Sequence, residues 1–168
     1  MAASETMVRM GELAVSSAPG DALVSVGLGS CIGLALLDRR LGIAGLAHIV
    51  LPQSQAHMNE NPNKFADLAV PQLLSELDAL GARRIRLAAV VVGGASMFSV
   101  SSSSLEVGPR NEAAVRELLA AQRIPIVAEA TGGSRGRTMR VDVAGGGVTV
   151  REAGGKDTEL FAQLEVVA

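Results

Sequence analysis

Two apolar runs, CIGLALL at residues 31–37 and LGIAGLAHIVLP at 41–52, are separated only by Asp38-Arg39-Arg40. A membrane helix needs roughly 18–20 apolar residues, and the charged tripeptide keeps either run below that length. Both are the right length for strands, so the pair predicts an antiparallel hairpin that ends at Pro52.

The rest of the chain reads as further strands and two helices. VRMGELAVS at 8–16 and ALVSVGL at 22–28 have strand character and flank the turn signal Pro19-Gly20-Asp21. Val70, Leu73, Leu74, Leu77 and Leu80 recur at helical spacing, with Gly81 placed to cap the C-terminus. Proline is best accommodated in the first helical turn, so Pro71 places the helix start close to Asp67, which then serves as N-cap. Residues 84–92 predict a buried strand ending at Gly93-Gly94. A second helix runs from a cap at Asn111 to about Gln122, and IPIVAEA at 124–130 predicts the next strand. RTMRVDV and VTVRE, bracketed by glycine pairs, predict a second hairpin. The polar stretch 53–64, which contains His57, and the serine-rich 99–104 read as exposed loops.

Strands outnumber helices, which predicts an α/β (α+β) layered sandwich of mostly antiparallel sheet with helices packed on it. At 168 residues it is expected to be a single domain across 1–168. Aromatics make up only 2% of the chain, so Leu, Val, Ile and Ala have to build the interior.

Charge and cysteine usage narrow the function. A net charge of -2 offers no footprint for nucleic acid, and the arginine clusters at 83, 84 and 86 and at 135, 137 and 140 read as solvated faces. Glu5, Arg9 and Glu12 interrupt the apolar stretch a secretory signal would need, so a cytoplasmic protein with no membrane insertion is expected. One cysteine forms no internal disulfide, and Cys31 with His48 and His57 matches no structural zinc spacing; a reduced thiol and no metal are expected.

That one cysteine closes the stretch SVGLGSC at 25–31. If the hairpin loop is symmetric about the bond between Arg39 and Arg40, Cys31 lies opposite His48 with both side chains on one face. A loop of odd length slips the register by one and separates them. A thiol with pKa about 8.5 is mostly protonated at neutral pH, and an imidazolium beside it lowers that value. The same imidazolium is placed to give a proton to a leaving amine, which suits an amide substrate. Gly27 and Gly29 permit tight backbone geometry, and the N–H groups of Gly29 and Ser30 are candidate oxyanion donors. Ser25, six residues before Cys31, is a candidate third group for orienting the base, provided the glycine turn preserves parity. The competing reading is that a lone cysteine is a buried small hydrophobe and a lone histidine a satisfied core residue. A nucleotide loop is disfavoured, because glycines at 27, 29 and 33 do not give the dinucleotide-fingerprint spacing.

Taken in order, VGLGSCIGLALLD, GLAHIVLP, NKFADLAVPQLL, GGASMF, GPRN and TGGSRGR resemble the CheD family of chemoreceptor glutamine deamidases, over roughly residues 8–152. The resemblance implies hydrolysis of glutamine side-chain amides on methyl-accepting chemotaxis receptors, giving glutamate and ammonia without metal or organic cofactor. It implies Cys31 as a nucleophile that forms a thioester and His48 as general acid and base. It also implies Ser25 in a position where the family usually has threonine, so the hydroxyl is kept and the rotamer-restraining methyl is lost. Other departures are Ala130, where relatives carry an acidic residue, and Phe65 in place of a common tyrosine. A layered α/β sandwich is the implied fold. Binding to a CheC-type phosphatase is implied as a function of a different class, and a methylesterase activity would use the same thioester route. No chemical role follows from residue type for Gly93, Gly94, Met97, Phe98, Arg110 or Asn111, which are expected to serve turns and a helix cap.

Overall fold

The computed structural model describes residues 3–55, 61–97 and 106–164. His57, Phe98 and the serine-rich loop lie outside them. At the centre stand strands β4 (Ile32–Asp38) and β5 (Ile43–Ile49), every residue of which is buried. Such strands need cover on both faces, which is why they read as continuous apolar runs without alternation. One face meets a second sheet and the other meets two helices, giving three layers.

The central sheet has the order β2-β5-β4-β6-β7, with β2 at Leu13–Ser16, β6 at Ala88–Gly93 and β7 at Ile126–Thr131. The second sheet has the order β1-β3-β8-β9-β10. Its strands are β1 (Glu5–Met7), β3 (Ala22–Leu28), β8 (Arg137–Asp142), β9 (Val148–Glu152) and β10 (Thr158–Phe161). Pairing is antiparallel except β1 with β3 and β6 with β7. Helices α1 (Ala66–Ala79) and α2 (Val107–Ala121) cover the outer face of the central sheet, burying Leu73, Leu77, Val115 and Leu119 against Leu34, Leu36, Ile49 and Val91. Between the sheets Leu23, Leu28, Leu37, Leu46, Val90, Met139, Val141 and Val148 close a second apolar layer. Each fully buried Leu or Val contributes about 1.5–3 kcal/mol, so two such layers stabilise the fold with few aromatic side chains, Phe65 being the one fully buried among the described residues. No helix among the described residues is long and apolar enough to cross a membrane.

The predicted hairpin is present with a different register. Asp38 pairs with Ile43, Gly33 with His48 and Ile32 with Ile49, so the four-residue turn at 39–42 is centred after Arg40 rather than before it. Gly42 takes the left-handed conformation that closes this turn (φ 66°), which the arginine pair is poorly suited to do. His48 therefore faces Gly33 and not Cys31. A slip of two residues preserves side-chain parity, and both side chains still point into the layer between the sheets.

Other boundaries are corrected as well. Residues 8–16 form no single strand: Gly11 (φ 76°) turns the chain, leaving β1 in one sheet and β2 in the other. Helix α1 is preceded by Phe65, and Asp67 sits in its first turn, where its carboxylate accepts the Ser54 N–H and hydroxyl at 2.9 and 2.7 Å. Pro71 lies inside the helix on the exposed side. Residues Arg84–Arg86 form a short 3-10 turn, and the strand starts only at Ala88. Strand β10 has no counterpart among the predicted elements.

Candidate active site

The chain crosses from one sheet to the other between the end of β3 at Leu28 and the start of β4 at Ile32. A β-bulge between Ser25 and Leu28, with Gly27 at φ 73°, turns it out of the first sheet. Cys31 sits on this crossing, 7% exposed. Ser25 thus lies in β3 and Cys31 on the crossing that leads into the other sheet, both buried and not sharing one strand face.

His48 and Ser25 are almost completely buried and meet at one backbone atom, the carbonyl oxygen of Val8. The imidazole Nδ1 lies 3.1 Å from it and the Ser25 hydroxyl donates to it at 2.8 Å. A carbonyl only accepts, so in the neutral ring Nδ1 carries the hydrogen and Nε2 carries the lone pair. That Nε2 is buried without a hydrogen-bond partner among the described residues. The orienting group for the imidazole is therefore Val8, and Ser25 acts on the same carbonyl rather than on the ring.

Leu28 and Met139 roof the glycine that faces His48: a Cβ at Gly33 would lie 2.8 Å from Leu28 Cδ1 and 2.9 Å from Met139 Sδ. This dry setting disfavours charge on both reactive groups. Burial pushes the Cys31 thiol up, against a hydrogen bond from its own N–H. Burial also holds the His48 imidazole below its ordinary value, opposed by the Val8 hydrogen bond and the Glu12 carboxylate. Both directions favour a neutral thiol and a neutral imidazole over the expected thiolate–imidazolium pair.

The chain is similar to known proteins. Residues 50–152 match the family model described as CheD chemotactic sensory transduction. A probable chemoreceptor glutamine deamidase CheD of Clostridium kluyveri is 50% identical over 135 residues, 79% of this chain and 83% of that protein. The protein of the same description from Clostridium botulinum Alaska E43 is 47% identical over 154 residues, 90% of this chain and 94% of its own.

The chain belongs to the CheD family.

The family match begins after His48, but an alignment that spans 90% of the chain takes in Ser25, Cys31 and His48 wherever it starts. A third relative, from Clostridium novyi, is 48% identical over 139 residues, 81% of this chain and 86% of its own.

Two segments that carry the CheD resemblance, GGASMF and GPRN, bond directly to residues 29–31, and a third, TGGSRGR, bonds to Gly93. From GGASMF, Gly94 N–H donates to the Cys31 carbonyl at 2.9 Å and Ala95 N–H to that of Gly29 at 2.8 Å. A Cβ at Gly93 (φ 114°) would overlap the Cys31 carbonyl oxygen, so only glycine fits there. From TGGSRGR, Arg137 donates to the carbonyls of Gly132 and Gly93 at 2.9 and 3.4 Å, fastening that loop to the end of β6. The Gly29 N–H is engaged by the Gly27 carbonyl at 3.0 Å, which leaves the N–H groups of Ser30 and Cys31 to be considered as oxyanion donors. A side chain at Gly29 would meet Met97, whose Cγ and Sδ lie 3.3 Å from a Cβ built there.

From GPRN comes the residue that sequence reasoning misassigned. Asn111 does not cap α2, which starts after Glu106; it lies one turn inside, fully buried. Its Nδ2 donates to the carbonyls of Ser30 and Val50, both at 2.9 Å. A signal was present: Asn111, Val115 and Leu119 recur every four residues on the buried face, where a cap does not belong. The Val8 carbonyl had no such signal, because a backbone acceptor has no residue type.

Proposed function

We propose that this chain deamidates glutamine side chains of methyl-accepting chemotaxis receptors through a cysteine thioester. The observation that carries this reading is the buried His48 Nε2, which has no hydrogen-bond partner among the described residues while its Nδ1–H is tied to Val8. Relatives described as chemoreceptor glutamine deamidases supply the substrate class.

In this mechanism the glutamine amide enters above Cys31, and Nε2 takes the thiol proton as Sγ attacks the amide carbon. Neutral partners suit this order of events, because the charged pair forms only as the bond does. Negative charge on the former carbonyl oxygen is met by backbone N–H groups of Ser30 and Cys31. The imidazolium then gives its proton to the departing amine, and ammonia leaves a thioester. Water, deprotonated by the same nitrogen, attacks the thioester; glutamate departs and the thiol regains its proton. Ser25 contributes by holding the Val8 carbonyl that orients the ring. Catalysis needs a reduced thiol, in keeping with action in the cytoplasm.

Ammonia release from cognate receptor cytoplasmic domains tests the reading. Wild type is expected to release it and Cys31→Ala is not. A CheC-type phosphatase is the second partner we propose. Binding to it is expected to survive Cys31→Ala, so a protein that binds the phosphatase but releases no ammonia would put regulation in place of catalysis.

A further inference from the structure

The segment that carries the thiol is held by three consecutive carbonyls. Gly29 O accepts from Ala95 N–H, Ser30 O from Asn111 Nδ2 and Cys31 O from Gly94 N–H, all at 2.8–2.9 Å. Two of these donors are backbone groups; Asn111 alone of the three is a donor that a substitution removes. The same Nδ2 donates to Val50 O. Since Ile32 and Ile49 form the last β4–β5 pair, this amide joins the two strands where their ladder opens, next to Cys31 and two residues beyond His48.

A trans peptide is planar, with its C=O and N–H pointing in opposite directions. Fixing Ser30 O towards α2 therefore fixes Cys31 N–H towards the other side of the same peptide plane. An N–H of the nucleophile itself is well placed to meet the oxyanion in acyl transfer. We propose that Asn111 is a positioning residue for deamidation, holding the 30–31 peptide plane so that Cys31 N–H is aimed at the oxyanion. The inference rests on the thiol-deamidase reading above.

The surroundings of Asn111 fit a positioning role better than a packing one. Asparagine is a poor residue for a helix interior, and a buried amide is costly unless bonded. Here its Oδ1 is buried with no hydrogen-bond partner among the described residues, so its two donated bonds are the polar contacts that offset its burial. Gly108 adds precision: a Cβ there would overlap the Ala95 carbonyl, so the first turn of α2 is seated directly on the 94–95 segment.

The test compares Asn111→Asp, which keeps the volume and loses both donors, and Asn111→Ala with Val115→Ala, a core truncation on the same buried helix face. Receptor-domain deamidation is expected to lose about 100- to 1,000-fold in kcat in both Asn111 variants, with KM within about two-fold of wild type. Val115→Ala is expected to lower the urea midpoint while kcat per folded molecule is retained. Independently of any substrate, the pH midpoint for iodoacetamide alkylation of Cys31 should rise in Asn111→Ala and stay in place in Val115→Ala, because the N–H that favours the thiolate is no longer held. Asn111→Ala carries the comparison should Asn111→Asp not fold. Folded Asn111 variants with wild-type kcat and an unmoved alkylation midpoint would overturn the proposal and leave deamidation by Cys31 intact. A wild type that deamidates nothing would sink the deamidase reading instead, and the alkylation midpoint would then decide the role of Asn111 by itself.

Discussion

At the scale of single residues, the site is organised by one backbone oxygen. The Val8 carbonyl accepts from both His48 and Ser25, so losing the serine hydroxyl leaves the oxygen bonded but less restrained. Ser25→Ala is expected to reduce kcat about ten-fold with little change in KM, and to cost only about 1 kcal/mol of stability, because no buried acceptor is orphaned. Ammonia-release kinetics and urea unfolding check this; a kcat equal to wild type would remove Ser25 from the mechanism. The neutral resting pair gives a second expectation. The acid limb of kcat/KM reports His48 and should fall below pH about 6.5, whereas alkylation of free Cys31 should have its midpoint above the ordinary thiol value of about 8.5. Rapid alkylation with a plateau near neutral pH would show a preformed thiolate and contradict the general-base order of events.

At the scale of elements, the turns set what the strands present. Asp38 ends β4 fully buried and accepts from Leu41 N–H at 3.4 Å, Arg83 N–H at 2.9 Å and the Arg86 guanidinium at 2.9–3.2 Å. It joins the β4–β5 turn to the 3-10 turn that leads into β6. Asp38→Asn places an amide against those donors and is expected to cost about 2–4 kcal/mol, read as a lower urea midpoint; a change under about 0.5 kcal/mol, the size of an ordinary surface substitution, would show that the turn is held otherwise. How far the elements were legible follows the same logic. The apolar runs of β4 and β5 announced a hairpin, and the two-residue register error placed Cys31 opposite His48 where Gly33 stands, while keeping the parity of the faces. Residues 8–16 misled, because Gly11 breaks an otherwise strand-like stretch: only Leu13–Ser16 of it forms a strand, and β1, in the other sheet, precedes it at Glu5–Met7. That break is also what brings the Val8 carbonyl to His48, so the part of the site that sequence reasoning missed is the part made by chain crossing. Asn111 was visible as a residue but was read for its local capping habit, when its tertiary contacts with Ser30 and Val50 decide its role.

At the scale of the whole molecule, two sheets and two helices exclude water from a thiol and an imidazole, and the same exclusion makes the fold acid-sensitive. The folded value of His48 is depressed by burial, so its contribution to stability is complete above the unfolded value of about 6.5 and is lost as pH falls through the folded value. Asp38 follows at lower pH: burial would raise its carboxyl, but the Arg86 side chain and the N–H groups of Arg83 and Leu41 outweigh this and hold it down. Its contribution is present above about 3.9 and is lost below. The urea midpoint should therefore fall between pH 7.5 and 5 in wild type and fall less in His48→Gln; equal slopes would show that His48 does not titrate differently on unfolding. The central claim is that this buried thiol converts receptor glutamines to glutamates. Its most direct test is site-resolved mass spectrometry of a cognate receptor cytoplasmic domain after incubation with wild type, Cys31→Ala or Cys31→Ser. The account predicts a gain of roughly one dalton at particular glutamines with wild type alone, as amide gives way to acid; the same gain with Cys31→Ala would contradict it.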